Sequence, residues 1–144
     1  MRYLLDTNIL SELVKPNPAH RVVTWVSSHP TLDYFVSVLT IGEIVRGTQS
    51  MAGGRRRTEL EDWVIHELPK QFLGRVLPVD TEVASEWGRL TAAATALGRP
   101  LPVIDGLLLA TAGVNALTFV TRNASDCDDH GVPVIDPWRH EPTG

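Results

Sequence analysis

The chain has one cysteine, Cys127, in 144 residues. A lone thiol excludes an intramolecular disulfide and a multi-cysteine zinc site, and it suits a reducing compartment. No run approaches the ~18–20 apolar residues of a membrane span. Asp6 interrupts the apolar start, so no signal peptide is expected near Met1. These absences predict a cytoplasmic protein with no membrane partner. Internal repeats, low-complexity tracts and linker-like stretches are missing too, so residues 1–144 are expected to form a single domain, long enough for a core without staples. Nor is there a surplus of positive charge. Thirteen Lys and Arg face 17 Asp and Glu, a formal net charge of -4, so any surface for a polyanion has to be local. The histidines (His20, His29, His66, His130 and His140) are scattered and suggest no site.

What is present reads as an ordinary globular protein, since 43% hydrophobic and 21% charged residues exclude a disordered chain. Residues Arg2 to Leu5, Asp33 to Val38, Arg75 to Val79, Thr118 to Thr121 and Pro133 to Ile135 are rich in strand formers. Between them the apolar positions repeat at helical spacing: Ile9, Leu10, Leu13 and Val14; Val22, Val23 and Val26; Leu60, Trp63, Val64 and Leu68; Val83, Trp87, Leu90, Ala94 and Leu97. Thr40 is the expected N-cap of a helix to about Ser50, Thr81 that of a later one, and a further helix opens near Pro102 or Val103. Strands alternating with helices predict an α/β fold, a three-layer α/β/α sandwich around a mostly parallel sheet.

Three acids stand out in this frame. Asp6 closes the first strand, followed at once by Thr7 and Asn8, and the carboxyl ends of strands are where open α/β sheets bind ligands. Glu43 and Asp105 interrupt apolar stretches, Ile41-Gly42-Glu43-Ile44-Val45 and Val103-Ile104-Asp105-Gly106-Leu107. Each has a structural reading of its own. Asp6 is a candidate N-cap, and Glu43 and Asp105 fall in first turns of predicted helices, where the dipole stabilises a carboxylate by ~0.3–1 kcal/mol. Together they point elsewhere, because carboxylates gathered among aliphatics repel one another unless a cation neutralises them. Hard oxygen ligands in small number suit Mg2+, with Mn2+ as the alternative. Thr121-Arg122-Asn123, followed by Asp126, ends another strand and belongs on the same rim, or else forms a simple turn. Two rival chemistries fit poorly. Haloacid-dehalogenase-like phosphatases need an Asp where Asn8 stands, and response-regulator receivers need an acidic pair and a lysine that this chain lacks at those places.

The ordered set resembles a PIN domain, and more closely the VapC/FitB-type ribonuclease toxins of bacterial toxin–antitoxin modules. The segments that carry the likeness are Asp6-Thr7-Asn8-Ile9-Leu10-Ser11-Glu12-Leu13, Glu43, Pro102 to Ala112, Thr121-Arg122-Asn123-Ala124-Ser125-Asp126, and Val134-Ile135-Asp136-Pro137-Trp138. The resemblance implies that Asp6, Glu43 and Asp105 hold Mg2+ and that Asn123 stands at the family's fourth acidic position, with Asp126 as its rival for that role. Cys127 stands where an aromatic is usual and reads as a small buried hydrophobe. The implied activity is metal-dependent hydrolysis of RNA phosphodiester bonds. Arg46, one turn after Glu43, and Thr121 and Arg122 on the rim are the candidate substrate-binding residues, with an antitoxin carboxylate or a dimer interface as the alternative partner of Arg46. Arg55, Arg56 and Arg57 either track a single strand or pair with Glu59, Glu61 and Asp62 on a solvated face. The implied partners are a cognate antitoxin, operator DNA through that antitoxin only, and a second copy in a homodimer. The competing readings are a catalytically inactive PIN-fold binding module, and a structure-specific DNA nuclease of related fold, for whose extra helical arches 144 residues leave little room.

Overall fold

The computed structural model describes residues 1–139; His140 and the positions after it lie outside the described residues. Five strands, β1 (Tyr3–Leu5), β2 (Tyr34–Ser37), β3 (Val76–Leu77), β4 (Thr118–Val120) and β5 (Val134–Ile135), form one sheet in the order β3-β2-β1-β4-β5. Every pairing is parallel, with Tyr3 opposite both Tyr34 and Thr118, and Leu5 opposite Val120. The chain first extends the sheet from β1 in one direction and then returns to add β4 and β5 on the other side. The crevice at the carboxyl ends of β1 and β4 is therefore the switch point at which such sheets bind ligands.

Alternation along the strands sorts side chains into two cores. Tyr3, Leu5, Tyr34, Val36 and Val120 face one way, against α1 (Thr7–Leu13), α2 (His20–Ser27), α3 (Val38–Gln49) and the α4 (Arg55–Asp62) to α5 (Leu68–Gln71) segment. Leu4 and Phe119 face the other way, against α6 (Thr81–Ala96), α7 (Val103–Val114) and the short α8 (Ala124–Cys127). A central strand covered on both faces has to be apolar throughout, and Tyr3-Leu4-Leu5 is buried at all three positions. This is the three-layer sandwich expected from the sequence. Among the described residues no helix is long and apolar enough to cross a membrane.

Local chemistry moves several boundaries. Thr40 does not cap α3; Ser37 does, its Oγ accepting the Leu39 N–H at 3.0 Å, and Thr40 is fully buried in the first turn. Glu43 consequently sits in the second turn, so a first-turn dipole effect does not account for it. Likewise Asp80, not Thr81, caps α6, because its carboxylate reaches the Val83 N–H at 2.9 Å. Residues Thr31–Asp33 turn in a 3-10 helix before β2, and the strands are shorter than their β-prone runs because caps and turns claim the ends. The helix through Leu60 and Leu68 is interrupted by a π-helical turn at Trp63–Glu67, just ahead of Pro69, which has no N–H for the ladder. Gly98, at φ 73°, ends α6 in the left-handed region that glycine enters without strain.

Candidate active site

The geometry begins with the backbone. The Asp6 N–H donates to the Val120 carbonyl at 2.9 Å, which fixes the end of β1 beside the end of β4. The chain then turns into α1 with Asp6 as its N-cap, Oδ1 accepting the Thr7 N–H at 2.7 Å. The capping role and membership of an acidic cluster turn out to be compatible, because the other oxygen looks across the sheet edge. Oδ2 accepts the Thr121 hydroxyl at 2.7 Å and the Asn8 side-chain amide at 3.2 Å. Asn8 also receives the Arg122 N–H at 3.3 Å, and Thr121 Oγ1 receives the Asn123 N–H at 3.1 Å. The rim after β4 is thus stitched to the rim after β1.

Thr7 carries the network to α3. Its hydroxyl donates to Glu43 Oε1 at 2.5 Å and lies 3.2 Å from the Thr40 hydroxyl. One residue therefore touches Asp6 through its N–H and Glu43 through its side chain. Asp105 enters from the opposite layer, in the first turn of α7, where the Gly106 N–H bonds the Pro102 carbonyl at 2.9 Å. Gly106 is small because the α6 layer presses on it: an added Cβ would meet Trp87 and Thr91 at 3.2 Å.

Asp6 feels the charges of Asp105 and Glu43, and Asp105 feels that of Glu43. Asp6 is only 5% exposed, and its pKa rises to about 6. Desolvation is the main cause, opposed by the Thr121 and Thr7 hydrogen bonds and reinforced by the charges of Asp105 and Glu43. Asp105 is also raised, first by burial and then by Glu43 and Asp126. Among the described residues none of the three forms an ion pair, and no basic group lowers the pKa of Asp6 or Asp105. Cys127 is fully buried beside them, and its thiol is pushed up to about 12, mostly by desolvation. It is a small core residue, as the sequence suggested.

Among the described residues no three His, Cys, Asp or Glu side chains are grouped closely enough to hold a metal ion by themselves. Asp6 is held by the Thr7 N–H, the Asn8 amide and the Thr121 hydroxyl, and Glu43 by the Thr7 hydroxyl. The donor set fits a hard divalent cation, because ionised carboxylates in a desolvated site with no basic partner need an outside counter-charge.

The other candidate positions divide. Thr121 is fully buried and bonds Asp6 directly. Asn123 is exposed at the N-terminus of α8, joined to the rim through its N–H, while Asp126 lies in the first turn of α8 with its charge felt by Asp105. Arg122 lays its guanidinium over the Trp138 ring, 4.8 Å from its centre. Arg46 is exposed in the last turn of α3, beyond Glu43. The arginine run splits: Arg55 and Arg57 pair with Glu59 and Glu61 at i,i+4, while Arg56 bonds the Val14 carbonyl at 2.6 Å. Thr7 and Thr40 were not singled out as site residues. Their signals were a hydroxyl directly after the strand-end acid and another one turn before Glu43.

These contacts make Thr121 a support for a buried charge. Thr121→Val is expected to cost about 1–3 kcal/mol at pH 8, where Asp6 is ionised and loses a donor. At pH 4.5, where Asp6 is protonated, the loss should shrink to the neutral-bond range of about 0.5–1.5 kcal/mol. Urea unfolding at the two pH values checks this; equal losses would separate Thr121 from the Asp6 charge.

The comparisons with known proteins agree with this fold. The model of the PIN domain matches residues 3–125. The chain belongs to the PIN-domain family. It is 33% identical over 135 residues to Toxin FitB of Neisseria gonorrhoeae, covering 94% of this chain and 97% of that protein. It is 32% identical over 135 residues to VapC ribonuclease Y4jK of Sinorhizobium fredii, covering 94% and 96%. Its fold superposes on the crystal structure of FitAcB from Neisseria gonorrhoeae with a TM-score of 0.90 at 32% identity, over 96% of this chain and 99% of that one. In this PIN domain the four segments that build the rim, after β1, in α3, at the start of α7 and after β4, are far apart in sequence and meet only through the parallel sheet.

Proposed function

We propose that this PIN domain is a Mg2+-dependent endoribonuclease toxin of a type II toxin–antitoxin module. The observation that carries the reading is the buried Asp6 carboxylate, held by the Thr121 hydroxyl, the Thr7 N–H and the Asn8 amide, feeling the charges of Glu43 and Asp105 and with no basic partner among the described residues. Asp6 and Asp105, with Glu43, would hold the cation. When bound, a divalent cation acidifies a coordinated water and offsets charge on the attacked phosphoryl group. The protein's own part is positioning. Thr121 and Asn8 fix the plane of the Asp6 carboxylate, and Thr7 fixes Oε1 of Glu43. That leaves Glu43 Oε2 to orient or deprotonate the water that attacks phosphorus in line, as the P–O bond breaks and the leaving oxygen takes a proton. Thr121 and Asn123 on the rim after β4, with Arg46 on α3 and Arg122 beside Trp138, are the further residues proposed to meet the substrate backbone.

RNA as substrate is supported by the likeness to a VapC ribonuclease, and a cognate antitoxin by the likeness to toxins solved as FitAcB and FitAB complexes. Operator DNA would then be reached through the antitoxin, which suits a toxin with a net charge of -4. A cytoplasmic homodimer is part of the same proposal. The test is cleavage of a panel of structured RNAs by the purified chain with Mg2+ or Mn2+. Asp105→Asn is expected to lower the rate by at least 100-fold while leaving the circular dichroism spectrum and unfolding midpoint close to wild type. Full metal-dependent cleavage by that variant contradicts the assignment.

A further inference from the structure

A cleft of about 300 Å3 opens from the acidic rim between α1, α3 and α4. Its walls follow the two helices outward in step. Thr7, Ser11, Val14 and Lys15 line it from α1 and the residues just beyond, and Glu43, Ile44, Gly47, Thr48 and Met51 from α3 and its end. Eight residues at 1.5 Å each carry the cleft about 12 Å from the acids. Arg56, Leu60 and Trp63 close it from α4 and the π-helical turn. The floor is apolar with an indole at one side, the inner end carries the Glu43 carboxylate, and the outer end carries two cations.

The two cations are not equivalent. Lys15 is paired with the buried Glu12 at 3.0 Å. Arg56 is exposed and, among the described residues, bonds through Nη2 to the Val14 carbonyl alone, which anchors the guanidinium while leaving its other N–H groups for an anion. Its neighbours Arg55 and Arg57 are already matched to glutamates on α4. Of the three consecutive arginines, only Arg56 is aimed at the cleft that leads to the acids.

We propose that this cleft seats the nucleotide adjoining the scissile phosphodiester, with Arg56 as the residue that holds its flanking phosphate. The proposal rests on the nuclease reading above and adds the direction of the strand, along α1 and α3 away from the sheet edge. An apolar cleft with an aromatic wall and a cation at its far end suits a single-stranded segment, whose base is free to leave the stack.

The experiment compares the full chain with Arg56→Gln, Arg56→Lys, Ser11→Tyr and Arg89→Gln on one fluorescein-labelled single-stranded RNA, by Mg2+-dependent cleavage and by anisotropy. Ser11→Tyr fills the cleft from an exposed position and keeps the arginine at position 56, so the proposal stays testable if Arg56→Gln folds poorly. Arg89 lies on α6, against the other face of the sheet, and serves as the charge control. Arg56→Gln should raise KM about 5–20-fold with kcat within about twofold, and should reduce the salt slope of binding by about 1. Ser11→Tyr should raise KM similarly, Arg56→Lys should recover most of the loss, and Arg89→Gln should match wild type. If Arg56→Gln and Ser11→Tyr behave like Arg89→Gln in KM and binding, the cleft does not carry RNA and the proposal is overturned, leaving a protein partner as its occupant. Wild type that fails to cleave at all instead overturns the nuclease reading, and anisotropy then still decides the cleft by the same comparison.

Discussion

Asp6→Asn is expected to do two opposite things: abolish cleavage and make the metal-free protein more stable at pH 7.5. Asp6 titrates near 3.8 when solvated and at about 6 in the fold, chiefly through burial. That rise corresponds to at most about 3 kcal/mol of free energy set against the ionised form. The sign is set by proton binding. Between pH 4 and 6 the folded chain holds a proton on Asp6 that the unfolded chain has released, so stability falls as pH rises through that window and stays reduced above it. Asparagine keeps an acceptor for the Thr7 N–H and removes the charge. Because the buried amide still needs partners, the net gain should be about 1–2 kcal/mol, or about 3–8 °C in the unfolding midpoint. Scanning calorimetry of both proteins at pH 4.5 and 7.5 checks it. The variant should gain at 7.5 and lose most of that gain at 4.5, and a variant less stable than wild type at pH 7.5 would show that the Asp6 charge is compensated within the fold.

The second large effect is stabilisation by metal. A cation that binds the folded chain alone stabilises it by about 2.7 kcal/mol at a hundred times its dissociation constant. Mg2+ or Mn2+ should therefore raise the midpoint of wild type by several degrees at pH 7.5. The shift should be much smaller at pH 5, where Asp6 carries a proton, because metal and proton compete for the same oxygens. Asp6→Asn and Asp105→Asn should each remove most of the shift. Arg89→Gln, remote on α6, should not alter it. A metal shift of equal size in wild type and both acid variants would place the cation elsewhere.

The parts of this fold that could be read from the sequence are those in which local pattern and tertiary position agree. Tyr3-Leu4-Leu5 reads as a strand because both of its faces are covered, and Asp6 reads as a strand-end acid because the apolar run stops there. Asp105 reads as a first-turn acid because Pro102 opens α7. The cap of α3 was misplaced because Ser37 and Thr40 are both acceptable caps by residue type, and only the end of β2 decides that Ser37 does the work. The same ambiguity separates Asp80 from Thr81. The π-helical turn at Trp63–Glu67 left no mark on the apolar spacing, since one extra residue in a turn still presents Val64 and Leu68 to the core.

Within the site, the carboxylates were legible and the hydroxyls were not. An acid among aliphatics is conspicuous in sequence because burying its charge is costly. A threonine in the same place is ordinary, so the Thr7 link between Asp6 and Glu43 emerges only when β1 and β2 lie side by side. The arginines show the converse. Three in a row look equivalent in sequence, and the helix surface then gives Arg55 and Arg57 to glutamates one turn on and Arg56 to the cleft.

We propose that acids from three separate elements form one divalent-cation pocket. Anomalous diffraction from crystals of the wild-type chain grown with Mn2+ is the decisive test. An anomalous peak contacting Asp6 and Asp105 with Glu43 alongside is expected, absent in Asp6→Asn crystals. Well-ordered acids with no manganese between them at millimolar concentration, or a peak bound elsewhere, would contradict it.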